Sequence, residues 1–186
     1  MDHRLQDMLD HHEIVKTLKQ YCFAADRCDR PRMESVYAKE SWDDHGVYAA
    51  PGPEFANIMT REIAAQTDTL FHMLGQSQII IEGDAAGAET YFFAVAQSTR
   101  EDGVVMCNQL GGRFVDSLVR EEGCWLIKHR TVVRDWAISL PIEADWTEHA
   151  GLARGHRSSA DPGYAALAQR HSDVDGLVKD EARDEG

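Results

Sequence analysis

The hydrophobic spacing of this chain changes once, at Gly75, and that change limits the folds open to it. Before Gly75 the apolar residues recur at helical spacing; after it, long β-favouring runs are separated by acidic turns containing glycine. Helices first and hairpin-linked strands afterwards imply an antiparallel meander curved over the helices, an α+β domain. In the helical half, Leu5, Met8, Val15, Leu18, Cys22 and Ala25 mark an amphipathic helix of about five turns that ends near residues 29–31. Pro31 suits the first turn of a second helix with Met33, Val36 and Tyr37 on one side. Residues 41–53 read as a loop with a short strand at 47–49, and a third helix is expected over residues 54–73, capped by Gly75.

Four strands are expected in the second half. Ile79, Ile80 and Ile81 end at Glu82-Gly83-Asp84, residues 88–98 end at Glu101-Asp102-Gly103, and residues 104–119 are followed by residues 124–138 across Glu121-Glu122-Gly123. The doublet Gly111-Gly112 marks a bulge or bend in the third of these strands. Beyond Pro141 the chain turns polar, apart from Trp146 and a short segment at 164–167, and the last dozen residues are expected to be disordered. The expected organisation is one domain over residues 1–140 and a partly disordered extension over 141–186.

Charge narrows the choice of partner. With 19 Lys and Arg against 32 Asp and Glu, the net charge of -13 repels a phosphate backbone, so neither nucleic acid nor an anionic membrane is an expected partner. No apolar run is long enough to span a bilayer, and Met1-Asp2-His3-Arg4 lacks the pattern of a signal peptide, so a cytoplasmic protein is expected. Cys22, Cys28, Cys107 and Cys124 form no C-x-x-C pair and are read as reduced thiols.

Three positions stand out for chemistry. Asp26 lies about 20° from Val15 around the first helix, which puts a carboxylate in the apolar stripe. It is either a cap paired with a nearby arginine or a partly buried group that orients a base. His72 follows Leu70 and Phe71 among residues that should face the core; it is either a satisfied core histidine or, with Asp26 on its ring, a general base. In the last strand, Lys128, Arg130 and Arg134 share one parity with Leu126 and Val132. Arg130 therefore points into a cavity or belongs to a solvated basic edge paired with Glu121, Glu122 and Asp135. Tyr21 sits about 140° from Asp26, so periodicity alone does not bring them to one cavity. Asp43, Asp44 and His45 fall short of a metal ligand set, and neither a phosphate loop nor a nucleophile elbow is present.

The set Tyr21-x-x-x-x-Asp26-Arg27-x-Asp29, Trp42-Asp43-Asp44-His45-Gly46, His72, Gly111-Gly112-Arg113-Phe114 and Glu122-Gly123-Cys124-Trp125-Leu126-Ile127-Lys128-His129-Arg130 resembles the SnoaL-like branch of the NTF2-like superfamily. That resemblance implies a cone-shaped α+β barrel around one apolar pocket, three N-terminal helices packed on a curved, mainly antiparallel sheet, and assembly as a homotrimer. Members include hexachlorocyclohexane dehydrochlorinase, scytalone dehydratase and bile acid 7α-dehydratase, lyases that need no cofactor. It implies an Asp-His dyad at Asp26 and His72, an assisting arginine at Arg130 and an assisting tyrosine at Tyr21. Phe71, Met73, Phe92, Phe93, Phe114 and His45 become the candidate substrate contacts, with no metal and no cofactor. The expected activity is abstraction of a carbon-bound proton and loss of water or another small fragment from a hydrophobic aromatic or polycyclic substrate. The same family contains formaldehyde-releasing lyases acting on lignin-derived diaryl compounds, isomerases and non-catalytic binding or assembly subunits.

Overall fold

The computed structural model describes residues 3–143 and 151–168, and the chain divides into two units, Met1–Asp145 and Trp146–Gly186. The first unit opens with α1 (His3–Arg27), which buries Ile14, Leu18, Tyr21, Cys22 and Ala25 along one stripe. At 25 residues it is longer than its apolar spacing suggests, and it stays regular through Asp26 to Arg27. Cys28 then takes a positive φ of 54°, and Asp29 caps α2 (Arg30–Glu34) by accepting from the Arg32 backbone N–H, with Pro31 in the first turn. Tyr37 is not helical as expected but opens strand β1 (Tyr37–Asp44), which takes in the first four residues of the expected loop at 41–53. The strand β2 (Ala49–Pro51) starts where the short strand was expected to end.

The third helix is the main correction. Helix α3 (Gly52–Asn57) continues as a π-helical segment, Ile58–Ile63, and β3 (Thr69–Glu82) already contains residues 69–73. The strand alternates Leu70, His72 and Leu74 inward with Phe71 and Met73 outward, and this period of two was hidden by the helical spacing just before it. Asp68 fixes the strand start: its N–H donates to Gln97 O at 2.7 Å and its carboxylate accepts from Thr99 Oγ1 at 2.7 Å. Gly75 is therefore no helix cap; it lies where the β3 register shifts between Leu74 and Ser77.

Strands β4 (Ala85–Thr99), β5 (Val105–Glu121) and β6 (Cys124–Ile142) complete a mixed sheet ordered β2-β1-β6-β5-β4-β3. The meander β3 to β6 is antiparallel, whereas β1 pairs in parallel with β6, placing Asp43 opposite Arg130. The sheet is curved but not closed into a barrel, with β2 and β3 at its edges. At Pro141 the strand pairs only with β5, the edge position at which a sheet tolerates proline.

Two irregularities in β6 set which side chains face the helices. Between the pairs Leu118–Ile127 and Ser117–His129, Lys128 has no partner, so Trp125, Ile127 and then Arg130 all turn inward. A second shift leaves Asp135 unpaired opposite Gly111-Gly112. Both glycines are required by close approach: a Cβ at Gly111 would meet the Trp136 ring, and one at Gly112 the Val133 carbonyl. Helix α1 packs on β3 and β6, and the core between them contains Ile79, Phe92, Phe114, Leu118, Trp125 and Ile127. No helix among the described residues is long and apolar enough to cross a membrane.

In the second unit, Asp161 organises a short turn by accepting from the backbone N–H of His156 at 3.0 Å and of Gly163 at 2.9 Å. Pro162 begins the helical turns that follow, and the Tyr164 N–H donates to Asp161 O at 3.0 Å. Trp146, His149 and the final acidic stretch lie outside the described residues.

Candidate active site

The last turn of α1 brings Asp26 to the inward face of β3. Asp26 Oδ1 lies 2.6 Å from His72 Nδ1, and its Oδ2 accepts from the His72 backbone N–H at 3.1 Å. One carboxylate thus holds both the strand and the ring. The carboxylate accepts from Nδ1–H, which sets the tautomer with the proton on that nitrogen, so the Nε2 lone pair is available as a base. The side chains keep 9% exposure at His72 and 13% at Asp26, enough for contact with a bound molecule.

From His72 an aromatic row crosses the sheet interior. The ring of Phe92 is 6.4 Å from His72 and stacks on Phe114 at 4.4 Å; Phe114 meets Tyr21 edge-on at 5.6 Å. Arg130 underlies the end of this row, with Cζ 4.0 Å from the centroids of both Tyr21 and Phe114. Such desolvated cation–π contacts are worth roughly 2 kcal/mol each. Arg130 is fully buried and forms a two-point pair with Asp116, at 2.7 and 2.8 Å. It is therefore not part of a solvated edge with Glu121, Glu122 and Asp135, while Lys128 and Arg134 do point to solvent. Burial opposes its charge, but the Asp116 carboxylate outweighs that and holds the guanidinium protonated. Its Nη1 is buried without a hydrogen-bond partner.

On the far side of Tyr21 lies a second polar cluster, built on the turn between β1 and β2. Asp44 Oδ1 accepts from the Gly46 N–H at 2.7 Å, Gly46 takes a φ of +79°, and His45 N–H donates to Tyr48 O at 2.8 Å. This turn aims the His45 ring inward, tilted against the Phe55 ring with centroids 4.5 Å apart. His45 Nε2 is aligned with the Tyr21 hydroxyl at 3.0 Å, and Asp43 Oδ1 sits 3.0 Å from the same nitrogen, off the hydrogen-bond axis. The other oxygen of Asp43 accepts from the Tyr37 hydroxyl at 2.6 Å. Burial, with Asp43 nearby, pushes both tyrosine hydroxyls well above the usual range, so each stays neutral. Burial also pushes the Cys22 thiol up to about 12, which makes it inert.

The structure thus joins Asp26 to His72 and Tyr21 to His45 and Arg130, with Phe92 and Phe114 between the two groups. The wheel arithmetic for Tyr21 and Asp26 holds, since α1 is regular and the two side chains serve different partners. Phe71 and Met73 are corrected: they are 54% and 55% exposed on the outer face of β3. Phe93 is corrected too, lying on that outer face against Trp136 at 5.8 Å. Asp116, Asp43 and Tyr37 were missed as site residues. Asp43 and Asp116 are buried acids on strands flanking Arg130, and only the strand order reveals that proximity. Among the described residues, no group of three or more His, Cys, Asp or Glu side chains converges to hold a metal ion.

Comparison with solved structures places this architecture. A putative scytalone dehydratase from Novosphingobium aromaticivorans aligns with a TM-score of 0.64 at 15% identity, over 74% of this chain and 92% of that one. A hexachlorocyclohexane dehydrochlorinase from Novosphingobium barchaimii aligns at 0.67 and 12% identity, over 74% and 94% of the two chains. A nuclear transport factor 2-like superfamily protein from Salmonella enterica aligns at 0.61 and 18% identity, over 76% and 98%. At such identities the likeness is one of fold. No curated protein matches the sequence. The SnoaL-like domain matches residues 6–131, more than half of the chain, and this protein belongs to that family, on an NTF2-like fold.

Proposed function

We propose that this protein is a cofactor-independent lyase that removes a carbon-bound proton from a hydrophobic, aromatic or polycyclic small molecule and expels water or a comparably small fragment. The observation that carries this reading is the double grip of Asp26 on His72, 2.6 Å at the ring and 3.1 Å at the backbone. His72 Nε2 takes the proton, and Asp26 compensates the imidazolium that forms. Arg130, fully buried, acts from beneath the aromatic row, where its charge favours negative charge developing on the departing group; Tyr21 lies between the two. The dehydratase and dehydrochlorinase among the similar folds support a lyase over other chemistries.

General acid–base catalysis contributes typically ~10² to 10⁴-fold, so His72→Ala and Asp26→Asn should each lower turnover of a confirmed substrate on that order while remaining folded. Wild-type turnover in either folded variant would sink the dyad. Product mass then separates loss of water from loss of formaldehyde or isomerisation. A second reading, a binding or assembly module, is favoured by the packing at Tyr21, Arg130 and Phe114, which leaves these side chains with 0–1% exposure. A ligand bound tightly and recovered unchanged would support it.

The outer sheet face carries Phe71, Met73, Trp136, Ile138 and Leu140, each about half exposed. Self-association covering this face, as a homotrimer, accords with such a patch. Light scattering should give three times the chain mass; a monomer mass would overturn it.

A further inference from the structure

A base needs a surface along which its substrate lies, and the two sides of His72 differ in what they offer. Towards the aromatic row the sheet interior is filled: Phe92, Phe114 and Tyr21 keep 5%, 1% and 0% of their surface. On the other side the inward side chains are smaller or only half-buried. His72 pairs with Ala94 of β4, and Ala94 with Leu110 of β5; one step along the same face, Leu70 pairs with Ala96, and Ala96 with Asn108. Within the sheet, the diagonal from His72 to Asn108 therefore passes over the methyl groups of Ala94 and Ala96, flanked by Leu70 and Leu110. Leu70, Ala96, Asn108 and Leu110 are all half-buried. Two strand spacings and two residues along the strand put His72 and Asn108 about 12 Å apart between Cα atoms, a span that suits a two-ring molecule.

Asn108 interrupts the apolar inward positions Met106, Leu110 and Phe114 of β5. Its amide donates to Ser98 Oγ at 3.2 Å, and its Oδ1 accepts from Ser139 Oγ at 2.5 Å. Ser98 lies on β4 and Ser139 on β6, so the oxygen faces away from β3 and the NH2 group faces the side on which His72 lies. One of its two N–H bonds has no partner among the described residues.

We infer that Asn108 is a specificity-determining residue of this site: it donates a hydrogen bond to an uncharged acceptor oxygen, an ether or a carbonyl, at one end of a flat two-ring substrate whose other end meets His72. For the role of His72 this rests on the lyase reading above. The group recognised is an acceptor because the free atom of Asn108 is a donor, and an uncharged one because the described partners of the amide, Ser98 and Ser139, carry no charge. Leu70 and Leu110 border the rings, and Ala94 and Ala96 leave them room.

The test compares 6-methoxy-2-acetonaphthone with 6-ethyl-2-acetonaphthone, which has the same shape but a methylene in place of the ether oxygen. Calorimetric titration reads affinity, and deuterium uptake from heavy water at the acetyl carbon reads the His72 base separately. The wild type should bind the methoxy ketone about 3- to 10-fold more tightly, as one hydrogen bond allows. Asn108→Leu should erase that preference, and so should Asn108→Asp, which keeps the shape and can still accept from Ser139 but has no N–H to give. Ala96→Leu should weaken both ketones alike, by about 10-fold, because its side chain fills the diagonal. Equal affinity for the two ketones in the wild type, or a preference that persists in both Asn108 variants, overturns the role of Asn108; deuterium uptake that is lost in His72→Ala then leaves the base standing. A preference that depends on Asn108 without any deuterium uptake supports the binding residue and overturns the base reading for these ketones. Binding of neither ketone overturns the inference.

Discussion

Two arginine–aspartate pairs tie this fold together, and their difference separates structural from functional charge. At one end of the sheet, Arg120 binds Asp10 of α1 at 2.7 and 2.8 Å and Asp84 at 2.9 Å, and the Trp125 indole N–H donates to Asp10 at 3.1 Å. In the centre, Arg130 binds Asp116 at the same two distances. Both guanidiniums lie over aromatic rings. Arg120, however, keeps 21% exposure and has a partner on each guanidinium nitrogen, whereas Arg130 has none of the first and leaves Nη1 unpartnered. A satisfied clamp at the rim needs no further purpose. An arginine buried with a donor to spare is costly unless its charge is used, and it sits beneath the ring that touches His45.

The largest effect should come from breaking the central pair. Asp116→Leu leaves a buried guanidinium uncompensated, which costs about 3–5 kcal/mol. Replacing both partners, Asp116→Leu with Arg130→Met, should recover part of that stability in urea unfolding, because the desolvation of two charges is removed with them. The double variant should still be impaired in turnover. Full activity in it would place Arg130 with Arg120 as a structural clamp, and stability no better than the single variant would show that the pair is favourable in its own right.

The α+β class was legible because the switch from helical to alternating spacing is a property of neighbours in the chain. What escaped were features set by neighbours in space. Residues 69–73 follow a helix without a turn signal strong enough to announce β3, so His72 was expected on a helix end; its meeting with Asp26 survives because the inward face of a strand serves as well. Strand β1 was hidden because its inward positions include Ser41 and Asp43, polar residues that break apolar alternation. Simple parity put Arg130 on the face opposite Trp125 and Ile127, and the unpaired Lys128 brings all three to the same side. The partners of Arg130 and His45 therefore became visible only with the strand order.

The smaller effect belongs to the rim. Asp10→Asn keeps the shape of the clamp but removes its charge, and Arg120, still paired with Asp84 and partly hydrated, loses less than Arg130 would. Its size should depend on pH in a defined direction. The Arg120 guanidinium holds the Asp10 carboxyl well below the usual carboxylate range, against the opposing pull of burial. A group whose folded-state affinity for protons is lowered contributes stability above its unfolded pKa, about 3.9 for Asp, and loses it as pH falls towards the folded value. Urea unfolding of the wild type and Asp10→Asn should therefore differ most near neutral pH and converge progressively below about pH 4. A difference that stays constant into acid would mean that the clamp works through shape and hydrogen bonds rather than charge, and the contrast between the two pairs would then rest on burial alone.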